Sequence, residues 1–226
     1  MRLSAPKGIN QPFGRIHRRY RLLNTILSFG LDAFWRKRAM SSLRLPDGSW
    51  VLDVGCGQGD MLKLLQSPVR RVGLDPEIAM LRGMHHASPR PSEPVCGRAE
   101  EMPFAGGRFG ALTAAFALRN FSDRKLALGE WFRVMKSGGQ GIVIEFSPPE
   151  RALMGRLVRL YLRLWLPLAG GIVSGDFAAY RYLSRTALTF PPPVQIAAEL
   201  AGAGFQDIAW RRLIGQVAVL YYFRKR

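Results

Sequence analysis

Three acidic residues surround a glycine-rich loop in the first third of the chain. Asp53 precedes the loop, Asp60 follows it directly, and Asp75 closes the next apolar run. The loop glycines alternate with other residues and are Gly55, Gly57 and Gly59. Glycines in such a turn let a ligand approach the backbone closely. The carboxylates repel a phosphate and attract a nucleoside that carries a sulfonium and an ammonium, so the loop predicts binding of S-adenosylmethionine.

The spacing also separates this loop from the dinucleotide-binding fingerprint. That fingerprint requires a third small residue at position 60, where this chain has an aspartate. Asp75 lies about 20 residues beyond the first glycine at the end of a second candidate strand, where a ribose-binding carboxylate is expected. A glycine turn without a ligand is the alternative, and Asp75 makes it less probable.

Length and composition indicate a single domain with a sizeable core. The chain has 226 residues, of which 48% are hydrophobic, and it contains no internal repeat. The two cysteines, Cys56 and Cys96, form neither a disulfide framework nor a metal-ligand pattern, so we expect a reducing, cytoplasmic setting and no metal. The apolar run from Leu164 to Val173 is shorter than the ~18 residues of a membrane span, so we expect a soluble or surface-bound protein.

The net charge of +17 is unevenly distributed. Residues 1–44 carry ten Lys or Arg and the single acid Asp32, a local charge of +9. Such a field attracts nucleic acid or the anionic face of a membrane, with general solubility as the plainer explanation.

Strand and helix patterns alternate through the middle of the chain. After one or two helices over 11–45 we predict strand 50–54, helix 59–66, strand 71–74, helix 76–84, strand 94–97, strand 110–116, helix 124–135 and strand 140–146. This alternation predicts an α/β fold with a largely parallel sheet. A helical insert over 150–190, helix 194–202 and a hairpin of strands 206–212 and 216–223 complete it.

We therefore divide the single domain, 1–226, into four segments. These are an N-terminal helical substrate cap (1–45), the cofactor core (46–147), the helical insert (148–193) and the C-terminal helix and hairpin (194–226). In the insert, Arg156, Arg159 and Arg163 share one helical face beside apolar side chains. Such a helix suits a lipid headgroup boundary, and an ordinary surface helix packed on its own domain is equally compatible.

Four segments carry a family resemblance. They are Tyr20–Gly30 with Phe34–Lys37, Phe116–Asp123, Ile144–Pro149, and Asp176 with Tyr180–Leu183. Together they resemble the class I methyltransferases that C-methylate the ring of prenylated quinols in ubiquinone and menaquinone biosynthesis. The resemblance covers nearly the whole chain from Phe13, although Arg21 stands where the family usually has aspartate.

The resemblance implies a Rossmann-like methyltransferase fold and S-adenosylmethionine as cofactor. The predicted cofactor-binding residues are Asp53, Gly55, Gly57, Gly59, Asp75, Pro76, Arg98, Ala99 and Phe116. Arg98 replaces the Asp or Asn with which the family generally accepts the adenine amino group, and arginine has no acceptor. Adenine must then rely on the backbone around Ala99 and on stacking, so we expect weaker cofactor affinity.

Methylation of a ring carbon requires the quinol to lose a hydroxyl proton. The resemblance places Arg119 near the transferred methyl group, where its guanidinium is predicted to stabilise the phenolate. Asn120 is predicted to orient the hydroxyl, and Asp176 or Tyr180 to accept the proton. The competing interpretations are that Arg119 pairs within its loop and that Asp176 caps a helix.

A nucleic-acid methyltransferase is the main rival, because the basic charge suits phosphate. Enzymes that methylate base amino groups typically carry Asn/Asp-Pro-Pro-Tyr after the fourth strand, where this chain has Leu118–Phe121. We therefore expect a prenylated quinol and an anionic membrane surface as partners, no nucleic acid, and a cytoplasmic, peripherally membrane-associated enzyme. A methyltransferase acting on RNA or on another small lipid-like acceptor is the alternative, and the oligomeric state and the choice between benzoquinol and naphthoquinol stay open.

Overall fold

One twisted sheet of seven strands organises the protein. The computed structural model describes residues 28, 30–66, 68–85, 91–147, 152–214 and 216–226. The strands are β1 (Trp50–Val54), β2 (Arg70–Asp75), β3 (Glu93–Cys96), β4 (Phe109–Ala115), β5 (Met135–Phe146), β6 (Gln206–Arg212) and β7 (Ala218–Arg224). Their order is β3-β2-β1-β4-β5-β7-β6, with β1 to β5 parallel and β7 antiparallel to both of its neighbours. The predicted parallel sheet with a C-terminal antiparallel hairpin is confirmed.

Helices cover both faces of this sheet. They are α1 (Leu31–Met40), α2 (Ile78–His85), α3 (Arg124–Val134), α4 (Ala152–Leu160), α5 (Leu166–Ser174), α6 (Phe177–Leu188) and α7 (Pro193–Gly202). The part of the predicted N-terminal helices before residue 28 lies outside the described residues.

The strands alternate their side chains between two cores. Leu52 and Val54 of β1 pack with α3 and α7 on one face, whereas Val51 packs with α1 and α2 on the other. All seven residues of β4 are buried, as expected for a central strand with helices on both faces. The sheet is therefore rigid at the point where the carboxyl ends of β1 and β4 meet.

Two predicted elements differ in the structure. The helix predicted over 59–66 is wrong, because only a short 3₁₀ turn forms at Leu62–Leu64 and Leu65 is already extended. Three alternate glycines with positive φ, Gly55, Gly57 and Gly59, keep the preceding backbone out of the helical region. The strand predicted over 140–146 is too short, because β5 begins directly after α3 at Met135 and passes through a register shift opposite Phe109 and Ala111.

The insert forms a helical hairpin with its own core. A five-residue π-helical turn, Tyr161–Trp165, joins α4 to α5 without a break. Gly175 ends α5 with a φ of 77°, and Asp176 caps α6. The stretch Gly155–Ser174 is long and apolar enough to cross a membrane by length and composition alone, although no single apolar run in the sequence predicted this.

A long-range hydrogen bond ties the N-terminal helix to the C-terminal hairpin. The indole Nε1 of Trp35 in α1 donates to the carbonyl of Ile214, between β6 and β7, at 2.9 Å. Trp35 itself is 1% exposed and packs in the same core as Leu213. The position of α1 over the sheet is therefore set by residues near the opposite end of the chain.

Candidate active site

A pocket opens at the carboxyl ends of β1, β2 and β4. Its floor is the glycine loop, in which Gly55, Gly57 and Gly59 have φ values of 66°, 55° and 75°. A Cβ on Gly55 would lie 2.5 Å from the Cβ of Ala117, so the loop packs tightly against the segment after β4. A Cβ on Gly57 would meet nothing within 4 Å, so the backbone there faces open space. This arrangement suits the close approach of a ligand to bare backbone.

Asp75 holds the loop and one wall of the pocket. Its Oδ2 accepts the Gly57 N–H and its Oδ1 accepts the Glu77 N–H, both at 2.9 Å. Burial raises the pKa of this carboxyl to about 6, although the two N–H bonds act in the opposite direction. Each oxygen keeps lone-pair capacity for a further donor such as a ribose hydroxyl. Pro76 lines the pocket next to it.

Asp53 is the most deeply buried acid of the site. It is 1% exposed, and the Thr113 hydroxyl donates to its Oδ1 at 2.7 Å. Burial raises its pKa to about 7, against the opposing effects of the Thr113 hydrogen bond and of the nearby Arg36 charge. The site thus contains a carboxyl that gains from a cationic ligand.

The segment after β4 closes the pocket with a strained residue. Phe116 has a φ of 60°, a left-handed conformation that costs a non-glycine side chain about 1–3 kcal/mol. Its ring lies 4.6 Å from that of Phe146 and 6.2 Å from that of Trp35, measured between centroids. Such strain is concentrated at ligand-binding sites, where the surrounding packing maintains it.

Arg98 and Ala99 form the far wall of the pocket. The Arg98 guanidinium turns toward the loop after β4, where its Nη2 donates to the Ser122 hydroxyl at 2.6 Å and its Nε lies 3.5 Å from Glu100. Ala99 is 5% exposed. Arg98 therefore braces two loops, and Ala99 lines the pocket beside it.

Arg119 is held by a buried ion pair. Its Nη1 is 2.6 Å from Glu145 Oε1, and the two side chains are only 2% and 0% exposed. The backbone N–H of Arg119 also donates to Glu145, at 3.3 Å. Arg119 is absent from the pocket lining because Glu145, at the end of the neighbouring strand β5, draws its guanidinium inward. Arg119 thus forms a pair, as in the competing interpretation, but with a residue of β5 rather than within its own loop.

The two predicted proton acceptors also occupy structural positions. Asp176 accepts the Ala179 N–H at 3.0 Å as the N-cap of α6. Tyr180 is 2% exposed within the core of the insert, where its ring packs against Gly170. Neither lines the pocket, because a cap and a core contact turn both side chains toward the insert.

Of the four predicted catalytic residues, Asn120 lies in the wall of the pocket. Its Oδ1 accepts a hydrogen bond from the hydroxyl of Tyr182 in α6 at 3.3 Å. Tyr182 follows Tyr180 by two residues, which on a helix turns it to a different face. Tyr182, rather than the predicted Tyr180, therefore contacts Asn120.

Sequence reasoning also missed Arg36 and Glu77, which line the pocket. Glu77 directly follows the predicted Asp75–Pro76 pair. Arg36 belongs to the Phe34–Lys37 motif and directly follows Trp35. The large apolar side chain of Trp35 was the available sequence signal that this part of the helix packs against the domain.

Comparison with known proteins identifies the family to which this site belongs. The model of the ubiE/COQ5 methyltransferase family matches residues 2–225. The chain belongs to the ubiE/COQ5 methyltransferase family. The predicted resemblance is therefore confirmed, and the protein is an S-adenosylmethionine-dependent methyltransferase.

Members of the ubiE/COQ5 family resemble this chain over almost its whole length. A demethylmenaquinone methyltransferase of Thermus thermophilus is 40% identical over 92% of this chain and 97% of its own. A demethylmenaquinone methyltransferase of Thermotoga maritima is 38% identical over 92% of each chain. A ubiquinone/menaquinone biosynthesis C-methyltransferase UbiE of Geobacter sulfurreducens is 37% identical over 94% and 86%, respectively.

Solved structures confirm the fold outside the family. A possible histamine N-methyltransferase of Thermotoga maritima superposes with a TM-score of 0.68 at 18% identity and covers 95% of this chain and 98% of its own. The [4+2]-cyclase SpnF also reaches 0.68, at 16% identity, with 99% of each chain covered. A shared fold that includes a cyclase does not set the reaction, so the acceptor must be inferred from the site and the family.

The pocket fits S-adenosylmethionine. Open space beside Gly57 admits the nucleoside, Asp75 and Ala99 line the same pocket, and the buried carboxyl of Asp53 gains from a cationic group. When bound, the cofactor supplies an electrophilic methyl group. The protein's own residues shape the pocket and orient what enters it.

We expect Asp75→Asn to weaken cofactor binding roughly tenfold to a hundredfold. Two backbone N–H groups point at the two carboxylate oxygens, so the amide nitrogen of asparagine would face a donor and release the loop. Isothermal calorimetry with S-adenosylmethionine measures the change. Asp47→Asn, the same substitution at an exposed residue, is the control, and unchanged affinity in Asp75→Asn would contradict the assignment.

Proposed function

We propose that this protein transfers the methyl group of S-adenosylmethionine to a ring carbon of a prenylated quinol, with demethylmenaquinol as the foremost acceptor. The observation that carries this proposal is the 38–40% identity, over more than nine-tenths of both chains, to two enzymes named for demethylmenaquinone. The UbiE relative keeps the ubiquinone precursor as the second acceptor to test. An RNA acceptor is not favoured by any of these relatives.

The chemistry requires the ring to become electron-rich beside the methyl donor. Loss of a hydroxyl proton makes the ring carbon nucleophilic, and positioning in line with the sulfonium methyl supplies much of the remaining rate. Asn120 stands in the pocket wall with its Oδ1 engaged by Tyr182, while its side-chain N–H₂ donates to the Phe116 carbonyl at 3.5 Å and keeps a second N–H. This pair is the natural device to orient a quinol hydroxyl.

The insert lies directly beside the pocket. Met80 of α2 lines the pocket and also packs in the core formed by α4 to α6. An acceptor held by the insert therefore has a short path to the cofactor.

The outer side of the insert supports association with a membrane surface. Its exposed apolar side chains form a continuous stripe along the helix and are Leu153, Leu157, Leu160, Leu164, Trp165, Leu168 and Ile172, each more than half exposed. Arg156, Arg159 and Arg163 are exposed on the same helix. Apolar residues flanked by arginines are typical of helices that lie in the plane of the headgroups.

The arginines favour this orientation over a membrane span. If Gly155–Ser174 crossed the bilayer, Arg159 and Arg163 would enter hydrocarbon at a cost of about 2.5–3.5 kcal/mol each. A helix lying in the interface instead directs both guanidinium groups to the phosphates while its leucines enter the acyl boundary. We therefore propose a cytoplasmic enzyme that associates peripherally with the membrane holding its substrate.

Quinone profiling by mass spectrometry tests the acceptor. Cells that lack this protein should accumulate a ring-demethylated quinone, and its benzo- or naphthoquinone nucleus identifies the acceptor. The wild-type gene should restore the methylated form. An unchanged quinone profile, with altered RNA methylation, would replace the quinol by a nucleic-acid acceptor.

We expect replacement of Arg156, Arg159 and Arg163 by glutamine to weaken binding to anionic vesicles. Each basic residue near such a surface contributes about 1 kcal/mol, so the loss should approach a hundredfold and should shrink as salt rises. Vesicle co-sedimentation measures it, and activity on a long-tailed quinol should fall while a short-tailed soluble quinol is spared.

A matched triple variant, Arg82→Gln, Lys125→Gln and Lys136→Gln, removes the same charge from exposed positions outside the insert. It should retain vesicle binding. Equal losses in both variants would show that only net charge matters and would contradict a dedicated insert surface.

A further inference from the structure

Arg36 of α1 presents a positive charge to the cofactor pocket. It lines the pocket together with Asp53 and Phe116, and its guanidinium carbon lies 5.2 Å from the centroid of the Phe116 ring. Its Nε is buried and makes no hydrogen bond within the described residues. Its charge lowers the pKa of Asp53, so the guanidinium acts electrostatically on the floor of the pocket.

Three other charged groups of the pocket already have partners. Asp60 is paired with Lys63 at 2.7 Å, and Asp75 accepts two backbone N–H groups. Arg98, the second cation of the described lining, is held by Ser122 and Glu100. Across the described part of the pocket, Arg36 is the cation left to meet an anion brought by a ligand.

The sheet order shows which end of the cofactor reaches Arg36. The pocket runs across the carboxyl ends of β2, β1 and β4, with Asp75 at the β2 end and Asp53 and Phe116 at the β1 and β4 end. An acid at the Asp75 position marks the ribose. The amino-acid part of the cofactor must then extend toward β1 and β4, where Arg36 and Asp53 lie together.

We infer that Arg36 binds the α-carboxylate of the methionine part of S-adenosylmethionine, while Asp53 faces its α-ammonium. The two ends of that zwitterion are one carboxylate and one ammonium, and this part of the pocket offers one guanidinium and one carboxyl. A guanidinium binds a carboxylate through two parallel N–H bonds, which also fixes its orientation. Trp35 and Phe116 belong to one core cluster, with ring centroids 6.2 Å apart, and this packing holds α1 beside the pocket.

Two ligands that differ in the carboxylate test the contact. The intact protein is titrated in a calorimeter with S-adenosylmethionine and with decarboxylated S-adenosylmethionine, which keeps the sulfonium and the ammonium. Arg36→Met should weaken binding of the first roughly tenfold to a hundredfold and leave binding of the second nearly unchanged. Arg36→Lys keeps the positive charge but lacks the two parallel N–H donors of a guanidinium, so it should show only part of the loss.

Lys37→Met removes a charge from the next, exposed residue of the same helix and should leave both affinities unchanged. Wild-type protein should already prefer the carboxylated ligand by a similar factor, which is measurable even if Arg36→Met does not fold. Equal weakening of both ligands would overturn the inference and assign Arg36 to the shape of the loop. Unchanged affinity for both, with slower turnover, would also overturn it and would place Arg36 against the methyl acceptor.

Discussion

Replacement of Arg119 by methionine is expected to lower the free energy of unfolding by about 3–5 kcal/mol, the usual cost of leaving one member of a buried ion pair without its partner. Glu145 is fully buried, and both of its carboxylate oxygens accept hydrogen bonds here. Oε1 accepts from the Arg119 guanidinium and from the Phe146 N–H, and Oε2 accepts from the Arg119 N–H. Methionine has a similar length but offers no donor. Urea unfolding followed by circular dichroism measures the loss.

Two further variants separate the ion pair from simple truncation. The double variant Arg119→Met with Glu145→Gln should regain much of the stability, because no net charge is then buried. Arg124→Met, which breaks the Arg124–Glu199 pair with its side chains 29% and 26% exposed, should cost only about 1 kcal/mol or less. A stable Arg119→Met protein would show that the 118–120 loop does not depend on Glu145. If that stable protein also lost about a hundredfold in turnover, the predicted contact with the phenolate would be restored.

The affinity for S-adenosylmethionine should rise steeply with pH. Asp53 and Asp75 have pKa values raised to about 7 and about 6, so both are largely protonated at about pH 5 in the cofactor-free protein. A cationic cofactor and its ribose hydroxyls favour the ionised carboxylates. Between about pH 5 and about pH 7.5 the association constant should therefore increase on the order of several hundredfold, with release of protons.

Calorimetry in buffers of different ionisation enthalpy counts the released protons. In the Asp53→Asn variant, the number of protons released on cofactor binding below pH 6 should fall by about one. The stability of the cofactor-free protein should change in the opposite direction. Its folded state keeps the Asp53 proton up to about pH 7, whereas the unfolded chain releases it near 3.8, so stability should fall as pH rises through that window. A flat affinity profile would contradict both raised pKa values.

The local sequence predicted most of the cofactor-binding core but little of the geometry around the candidate catalytic residues. The glycine loop, Asp53 and Asp75 were predictable because a strand, a tight turn and a following acid are consecutive signals along the chain. The helix prediction over 59–66 was wrong because apolar periodicity does not reveal that Gly55, Gly57 and Gly59 adopt left-handed backbone angles. Helix and strand propensities predict little where a ligand-binding site determines the backbone conformation.

The predicted roles of Arg119 and Tyr180 depended on partners remote in the sequence. Glu145 lies 26 residues beyond Arg119, and its position is known only once β5 is placed beside β4. Tyr180 and Tyr182 lie on different faces of α6, and only the packing of α6 within the insert decides which face reaches Asn120. Such choices belong to tertiary packing, which a single sequence does not show.

The Trp35–Ile214 hydrogen bond makes completion of the cofactor site a late event in the life of the chain. The two residues are 179 positions apart, so α1 acquires its anchor only after the C-terminal hairpin has been synthesised. Loops of that length close slowly compared with local contacts. A nascent or C-terminally truncated chain thus lacks the hairpin that fixes Arg36 over the pocket. Ligand binding consequently favours molecules in which the hairpin has already docked against α1.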